Sequence, residues 1–338
     1  MAAAEKILAP QAPRAFFAIR TDMLLDNTQV NFDVYALPEP TTSASRSEDY
    51  ILYAKAPYRW TLRELNELMR MGMTELFVDE TERPAFLRYM ALHEAPKIDQ
   101  NLEPKFRIKQ IQDVGSHLVE AAFLCEIDSN LKQNLNNISV EMVRCLQEDP
   151  TSVQQIQMLC DHSVYTYIHS ASVAALVPAI AMVLGERDPK VLAAWSLAGL
   201  MHDVGKRHIP LQILDKGGPL TPEEWGLMKS HADLGLQTVQ GLGFPDSVTD
   251  VIAHHHEKLD GSGYPHGIIL DEIPAWVQIA TVADIFSALT TTRCYHYKRS
   301  RFEALMFMKH ELRGKVSKEA FKALVEALVV DKKEAGSV

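Results

Sequence analysis

The residue types able to do chemistry are concentrated in one stretch of this chain. Ten of its 13 histidines lie between His162 and His296. In order, the potential ligands are His169, the pair His202-Asp203, His231, the triplet His254-His255-His256, and Asp284, at intervals of roughly 25 to 35 residues. Such intervals suit one ligand per helix, with several helices delivering imidazoles and carboxylates to one core. That donor set favours Fe, Mn, Co, Ni or Zn over Mg or Ca, which prefer all-oxygen shells. The competing expectation is a scatter of unrelated histidines on solvent-facing helices, and local context argues against it. AAWSLAGLMHDVGK sets His202 and Asp203 at the end of an apolar helix, where an unpaired charge is costly and a metal removes the cost. Glu257 and Asp260 follow the triplet. A helix cannot aim three consecutive side chains one way, so one of the three must point elsewhere.

The elements that must position these groups fall into two kinds. Between about residues 15 and 90, AFFAIR (15–20), NFDVYAL (31–37), YILYAK (50–55) and TELFVD (74–79) predict short strands, with a polar loop over 38–49. Thr61 and Glu64 form a capping box ahead of a helix whose Leu62, Leu65, Leu68 and Met69 share a face, and Pro84 stands early in another helix. After a polar break at 94–106 the pattern turns helical, with helices from Ile108 to Cys125 and from Leu131 to Leu146 and a break at Asp149-Pro150. Residues 107–330 read as all-α. The expected fold is therefore α+β overall: a small α/β module over 1–95, connecting helices over 96–150, a helical bundle over 151–330 and a polar tail over 331–338.

Composition bounds the remaining classes. The chain has 338 residues, 47% hydrophobic and 23% charged, which is globular and long enough for about two domains. A net charge of -10 disfavours unspecific binding to DNA or an anionic membrane. Cys125, Cys145, Cys160 and Cys294 form no ligand or disulfide framework, and no apolar run is long enough to span a bilayer. A cytoplasmic location is expected. No Ser-His-Asp or Cys-His arrangement suggests a protein nucleophile.

MHDVGK followed by IPLQIL and by HHHEKLDGSGYPHG resembles the HD-GYP branch of the HD phosphohydrolase superfamily. The resemblance runs from YTYIHS through LTPEEW and MKSHADLG to IATVADIFSALTTTRCY, about residues 160–297. It implies an HD-type helical bundle and a metal-dependent phosphodiesterase that opens cyclic di-GMP, or a related cyclic dinucleotide, to linear pGpG or GMP in bacterial signalling. Carried over residue by residue, the metal ligands are His169, His202, Asp203 as a bridge, His231, His255, His256 and Asp284. Lys206 and Arg293 are implied at the phosphate, with Asp203 and Lys206 catalytic, and Gly263, Tyr264 and Pro265 form the signature loop beside the substrate. The implied cofactor is a pair of divalent ions, Fe or Mn first, with Ni, Co or Zn as alternatives. A signalling-protein partner at the GYP loop and a homodimer are further implied associations, and the N-terminal module looks regulatory or sensory.

Three departures bear on that reading. Trinuclear members carry a Glu where this chain has Tyr165, which favours two ions. The family's second aspartate in VADxxDAL is Ser287 here, removing a carboxylate expected to support a ligand. Cys294 and His296 alter the RPY segment, with Lys298 and Arg299 nearby in the basic run HYKRSR. The alternative these changes raise is a catalytically weak protein that binds cyclic dinucleotides or a protein partner.

Overall fold

The computed structural model describes residues 14–37, 49–93, 98–156, 165–291 and 299–329, the side chains of Ala91, Tyr165 and Thr166 aside. The chain divides into two compact units, Met1–His93 and Glu94–Val338.

In the first unit, strands β1 (Phe16–Arg20), β3 (Val34–Ala36), β4 (Ile51–Ala54) and β6 (Glu75–Asp79) form an antiparallel sheet in the order β1-β6-β3-β4. Two further strands, β2 (Gln29–Val30) and β5 (Tyr58–Arg59), pair with each other. With only two residues each, they carry too little alternation to be read from sequence. Helix α1 (Leu62–Arg70) has the capping box expected of Thr61 and Glu64, and buries Leu65 and Leu68. Helix α2 (Arg83–His93) accommodates Pro84 in its first turn, where the missing N–H breaks no hydrogen bond. Phe32, Trp60, Leu68, Leu76, Leu87 and Met90 are fully buried, and Phe32 meets Phe86 and Tyr89 edge-on at 5.6 and 5.8 Å.

The second unit is helical. Helices α3 (Pro104–Leu124) and α4 (Ser129–Glu148) open it. Helix α3 starts inside the stretch expected to be a break, because Pro104 serves as its first helical residue. The Asp128 carboxylate caps α4 by accepting from the Leu131 N–H at 2.8 Å. Helices α5 (Tyr165–Val183) and α6 (Pro189–Met201) are apolar on nearly all sides, as befits helices surrounded by others. Helix α5 packs against α3, α6 and two later helices, α11 (Ala275–Thr290) and α13 (Lys318–Val329). Its contact with α6 is close: a Cβ on Gly199 would lie 3.0 Å from the Ala174 backbone, and the Ser196 hydroxyl donates to the Ala174 carbonyl at 2.8 Å. Between α6 and α11 run a 3-10 segment (Val204–His208), α7 (Leu211–Leu214), α8 (Pro222–Lys229), α9 (His231–Val239) and α10 (Asp246–His254). Helix α12 (Arg301–Glu311) precedes α13. The α+β class read from the sequence is the observed one. No helix among the described residues is long and apolar enough to cross a membrane.

Candidate metal centre

The core of the helical unit holds the histidines. His169 projects from α5, His202 caps the end of α6 with Asp203 directly after it, and His231 opens α9. His255 follows the last residue of α10, and Asp284 lies midway along α11. All of these are buried, while His256 retains 24% side-chain exposure. The end of α10 resolves the geometry of the triplet. His254 completes the helix and faces away from the centre, toward Glu257 and His266, whereas His255 and His256 both enter the centre.

The potential ligand atoms form two adjoining groups: His169, His202 and Asp284 in one, and Asp203, His231, His255 and His256 in the other. Asp284 Oδ1 lies 3.0 Å from His169 Nε2 and 3.8 Å from His202 Nε2, and its Oδ2 lies 3.7 Å from His256 Nδ1. Asp203 touches both groups: Oδ2 lies 3.3 Å from His202 Nε2, while Oδ1 lies 3.5 and 3.6 Å from the Nε2 atoms of His231 and His255.

Four imidazoles are held by their other nitrogen. Nδ1 of His202 contacts the Gly199 carbonyl at 2.8 Å, that of His231 the Met228 carbonyl at 2.6 Å, and that of His255 the Val251 carbonyl at 2.9 Å. Each acceptor belongs to the last turn of a helix, where carbonyls have capacity to accept a side-chain donor, the Val251 carbonyl taking the His255 N–H as well at 3.0 Å. With Nδ1 donating, the Nε2 lone pair faces the centre, which is the arrangement metal-ligating histidines need. The carbonyl ends of three helices also favour positive charge there. His169 Nδ1 lies 2.9 Å from Ser287 Oγ. The substitution that was expected to remove a supporting group therefore leaves one in place, as a neutral acceptor in place of a carboxylate.

The residues fit metal ions. His202 Nε2 and Asp203 Oδ1 are buried with no hydrogen-bond partner among the described residues, and a buried polar atom in that state costs free energy that a bound cation removes. Burial pushes Asp203 upward, but the charges of His202 and Lys206 outweigh it and hold the carboxyl well below the usual carboxylate range. Burial likewise opposes ionisation of Asp284, and the contacts with His169 and His256 reverse it, so this carboxyl is also strongly depressed. Burial depresses His169 and His256, and takes His231 down to about 3. At His202 burial is overcome by Asp203, which raises it. Neutral His169, His231 and His256 beside ionised Asp203 and Asp284 are protonation states that bind a divalent cation.

A family model described as HD domain matches residues 154–316, which include every one of these ligands. Over 195 residues the chain is 35% identical to a cyclic di-GMP phosphodiesterase of Pseudomonas aeruginosa, covering 57% of this chain and 46% of that protein. It is 38% identical over 167 residues to a 3'3'-cGAMP-specific phosphodiesterase of Vibrio cholerae, covering 49% of this chain and 36% of that one. Among solved structures, the HDG"Y"P protein Bd1817 of Bdellovibrio bacteriovorus superposes with a TM-score of 0.63 at 20% identity, covering 93% of this chain and 99% of the other. Residues 154–316 of this chain form an HD domain. The chain spans less than half the length of the two curated relatives named here.

The GYP loop of the HD domain is folded against the triplet. A Cβ on Gly263 would lie 2.4 Å from Glu257 Cα and 2.6 Å from the His256 carbonyl, so only glycine allows the backbones to approach this closely. The Tyr264 N–H donates to the His256 carbonyl at 3.3 Å, the two rings are 4.6 Å apart, and Pro265 follows across a cis peptide. Lys206 Nζ pairs with Asp203 Oδ2 at 2.5 Å. Arg293, Cys294, His296 and Lys298 lie outside the described residues, as does the side chain of Tyr165. Of the basic run, Arg299 stacks on Phe307 at 4.4 Å and Arg301 donates to the Gln154 carbonyl at 2.8 Å, so both are engaged in packing.

Sequence reasoning missed the backbone acceptors behind the ligands and the positive role of Ser287. The second was accessible: Ser287 follows Asp284 by three residues on one helix, which places both on the same face. The first was not, because carbonyls leave no residue-type signature.

Proposed function

We propose that this chain hydrolyses a cyclic dinucleotide, cyclic di-GMP foremost, to the linear dinucleotide or the mononucleotide, using two divalent transition-metal ions. Fe or Mn is the leading choice, with Ni, Co or Zn as alternatives. The observation that carries the reading is the pair of adjoining ligand groups with Asp203 reaching both. His169, His202 and Asp284 would hold one ion and His231, His255 and His256 the other, with Asp203 bridging. Bound ions at such a centre acidify a water and neutralise the non-bridging phosphate oxygens. The protein supplies the rest. Its helix ends fix the imidazoles before substrate arrives, and Lys206, 18% exposed in its side chain, presents an ammonium at the edge of the centre. Transfer of that ammonium from Asp203 to the phosphate would stabilise developing charge. Arg293 is assigned the same role by resemblance, and Gly263, Tyr264 and Pro265 would line the substrate side. The N-terminal unit is proposed as a regulatory or sensory module.

Relatives named for 3'3'-cGAMP at identities like those for cyclic di-GMP favour a second substrate reading within the same chemistry. The test incubates chelator-stripped protein, reloaded with Mn or Fe(II), with cyclic di-GMP and with 3'3'-cGAMP in parallel and resolves the products. Turnover of at least one is expected, with Asp203→Asn reducing it on the order of 100-fold or more, because even partners of ligands cost 10–100-fold. Tight nucleotide binding without product under any metal would instead support the binding-module alternative.

A further inference from the structure

The outward member of the triplet belongs to a second cluster. His254, Glu257 and His266 each offer a ligand atom, and these atoms lie within 4.8 Å of one another. Glu257 is 1% exposed. Its Oε1 accepts the backbone N–H groups of His266 and Gly267 at 2.7 and 3.0 Å, while its Oε2 is buried with no hydrogen-bond partner among the described residues. His254 Nδ1 is buried and unpartnered in the same way. The His254 and His266 rings are 5.4 Å apart. On the far side of His266, Nε2 lies 3.7 Å from Asp233 Oδ1, with both side chains about half exposed.

Glu257 and His254 thus each carry a buried polar atom without a hydrogen-bond partner among the described residues, and a ligand atom of each lies within 4.8 Å of one on His266, which makes a site short of its cation. We propose that His254, Glu257 and His266 bind one divalent transition-metal ion, Zn2+ being the best match, separately from the HD centre. Two imidazole nitrogens and one carboxylate oxygen are a donor set that zinc accepts readily, and Mg or Ca would want more oxygens. Donors on a four-coordinate ion with ~2.0 Å bonds stand roughly 3.3 Å apart, so the side chains must close by at most about 1.5 Å. Solvent reaches the site on the exposed His266 side, where water can complete the shell.

The ion would act as a clamp. His254 is the last residue of α10, and His266 follows the GYP residues, so one ion would fasten both ends of the turn that holds Tyr264 against His256. Glu257 already grips that turn through Oε1. The ion would occupy its remaining oxygen.

Full-length protein, stripped with chelator, saturated with Zn2+ and desalted, gives the test by elemental analysis. His266 is half exposed, so His266→Ala leaves the core untouched, and far-UV circular dichroism checks the folding of each variant. His266→Ala and His254→Asn should each retain one equivalent of zinc fewer than the wild type. The same equivalent should persist in Asp203→Asn, which damages the HD centre instead. Loaded with Co2+, the wild type should show a visible d–d band that is diminished in His266→Ala. Equal zinc content in wild type and His266→Ala overturns the proposal, as does loss of that equivalent in folded Asp203→Asn. Neither readout depends on hydrolysis, so failure here and failure of the phosphodiesterase reading are distinguishable.

Discussion

At the scale of single residues, the centre is built from groups whose protonation states suit a cation more than they suit an empty core. Without metal, this makes the protein sensitive to acid. His169, His231 and His256 are depressed below their ordinary 6.5, chiefly by burial, with His231 at about 3. Between those values and 6.5 the unfolded chain binds protons that the folded chain refuses, so stability is lost as pH falls. His231 alone accounts for about 2 kcal/mol between pH 6.5 and pH 5, at 1.36 kcal/mol per unit. Asp203 and Asp284, held below 3.8, continue the loss in the same direction at lower pH. His202 is raised and opposes it: its contribution is complete below 6.5 and fades as pH rises through its folded value. Three depressed histidines outweigh one raised one. Urea midpoints of EDTA-treated protein should therefore fall from pH 7 to pH 5, and a flat or rising profile would refute the assignment. Acid should also release metal from the loaded protein, since protons compete for the same imidazole nitrogens.

At the scale of elements, the ligands depend on how closely segments approach. Gly205, two residues after Asp203, lies against the start of α9. A Cβ there would stand 1.8 Å from the His231 carbonyl oxygen and 2.4 Å from the Gly235 nitrogen. Both neighbours are backbone and cannot swing aside, so Gly205→Ala must push the 3-10 segment away from α9. The expected cost is about 1–3 kcal/mol or more in unfolding free energy, accompanied by lost metal, since Asp203 and His231 sit on the two sides being separated. Gly217→Ala, with nothing within 4 Å of the added carbon, is the matched control and should be nearly neutral. Chemical denaturation and metal analysis of both variants check this. The contrast shows what a sequence discloses. The ligand identities and the helical class were legible because imidazoles, carboxylates and a long apolar period are residue-type signals. The capping box of α1 was legible for the same reason. The reason for Gly205, the helix-end carbonyls behind His202, His231 and His255, and the paired two-residue strands were not, because each depends on backbone atoms meeting across the fold. Ser287 lies between these cases: its residue type suggested a loss, and only its 2.9 Å contact with His169 showed the support retained.

At the scale of the whole molecule, the two units have separate cores. Every candidate ligand lies in Glu94–Val338, together with the helices that carry them and the carbonyls and hydroxyl that orient them. The first unit buries its own aromatic cluster around Phe32 and Trp60, and among the described residues it contains no group of potential metal ligands. A unit with its own core and its own satisfied site can fold alone. The chain from residue 94 onward should therefore keep the helical circular dichroism of that unit and bind the same number of metal equivalents as the full chain. Loss of metal on truncation would show that the helical unit depends on the first for its structure. Hydrolysis rates on the same two samples address the separate proposal of a regulatory module. With metal content equal, only a changed rate is consistent with regulation by residues 1–93, and equal rates would remove that role.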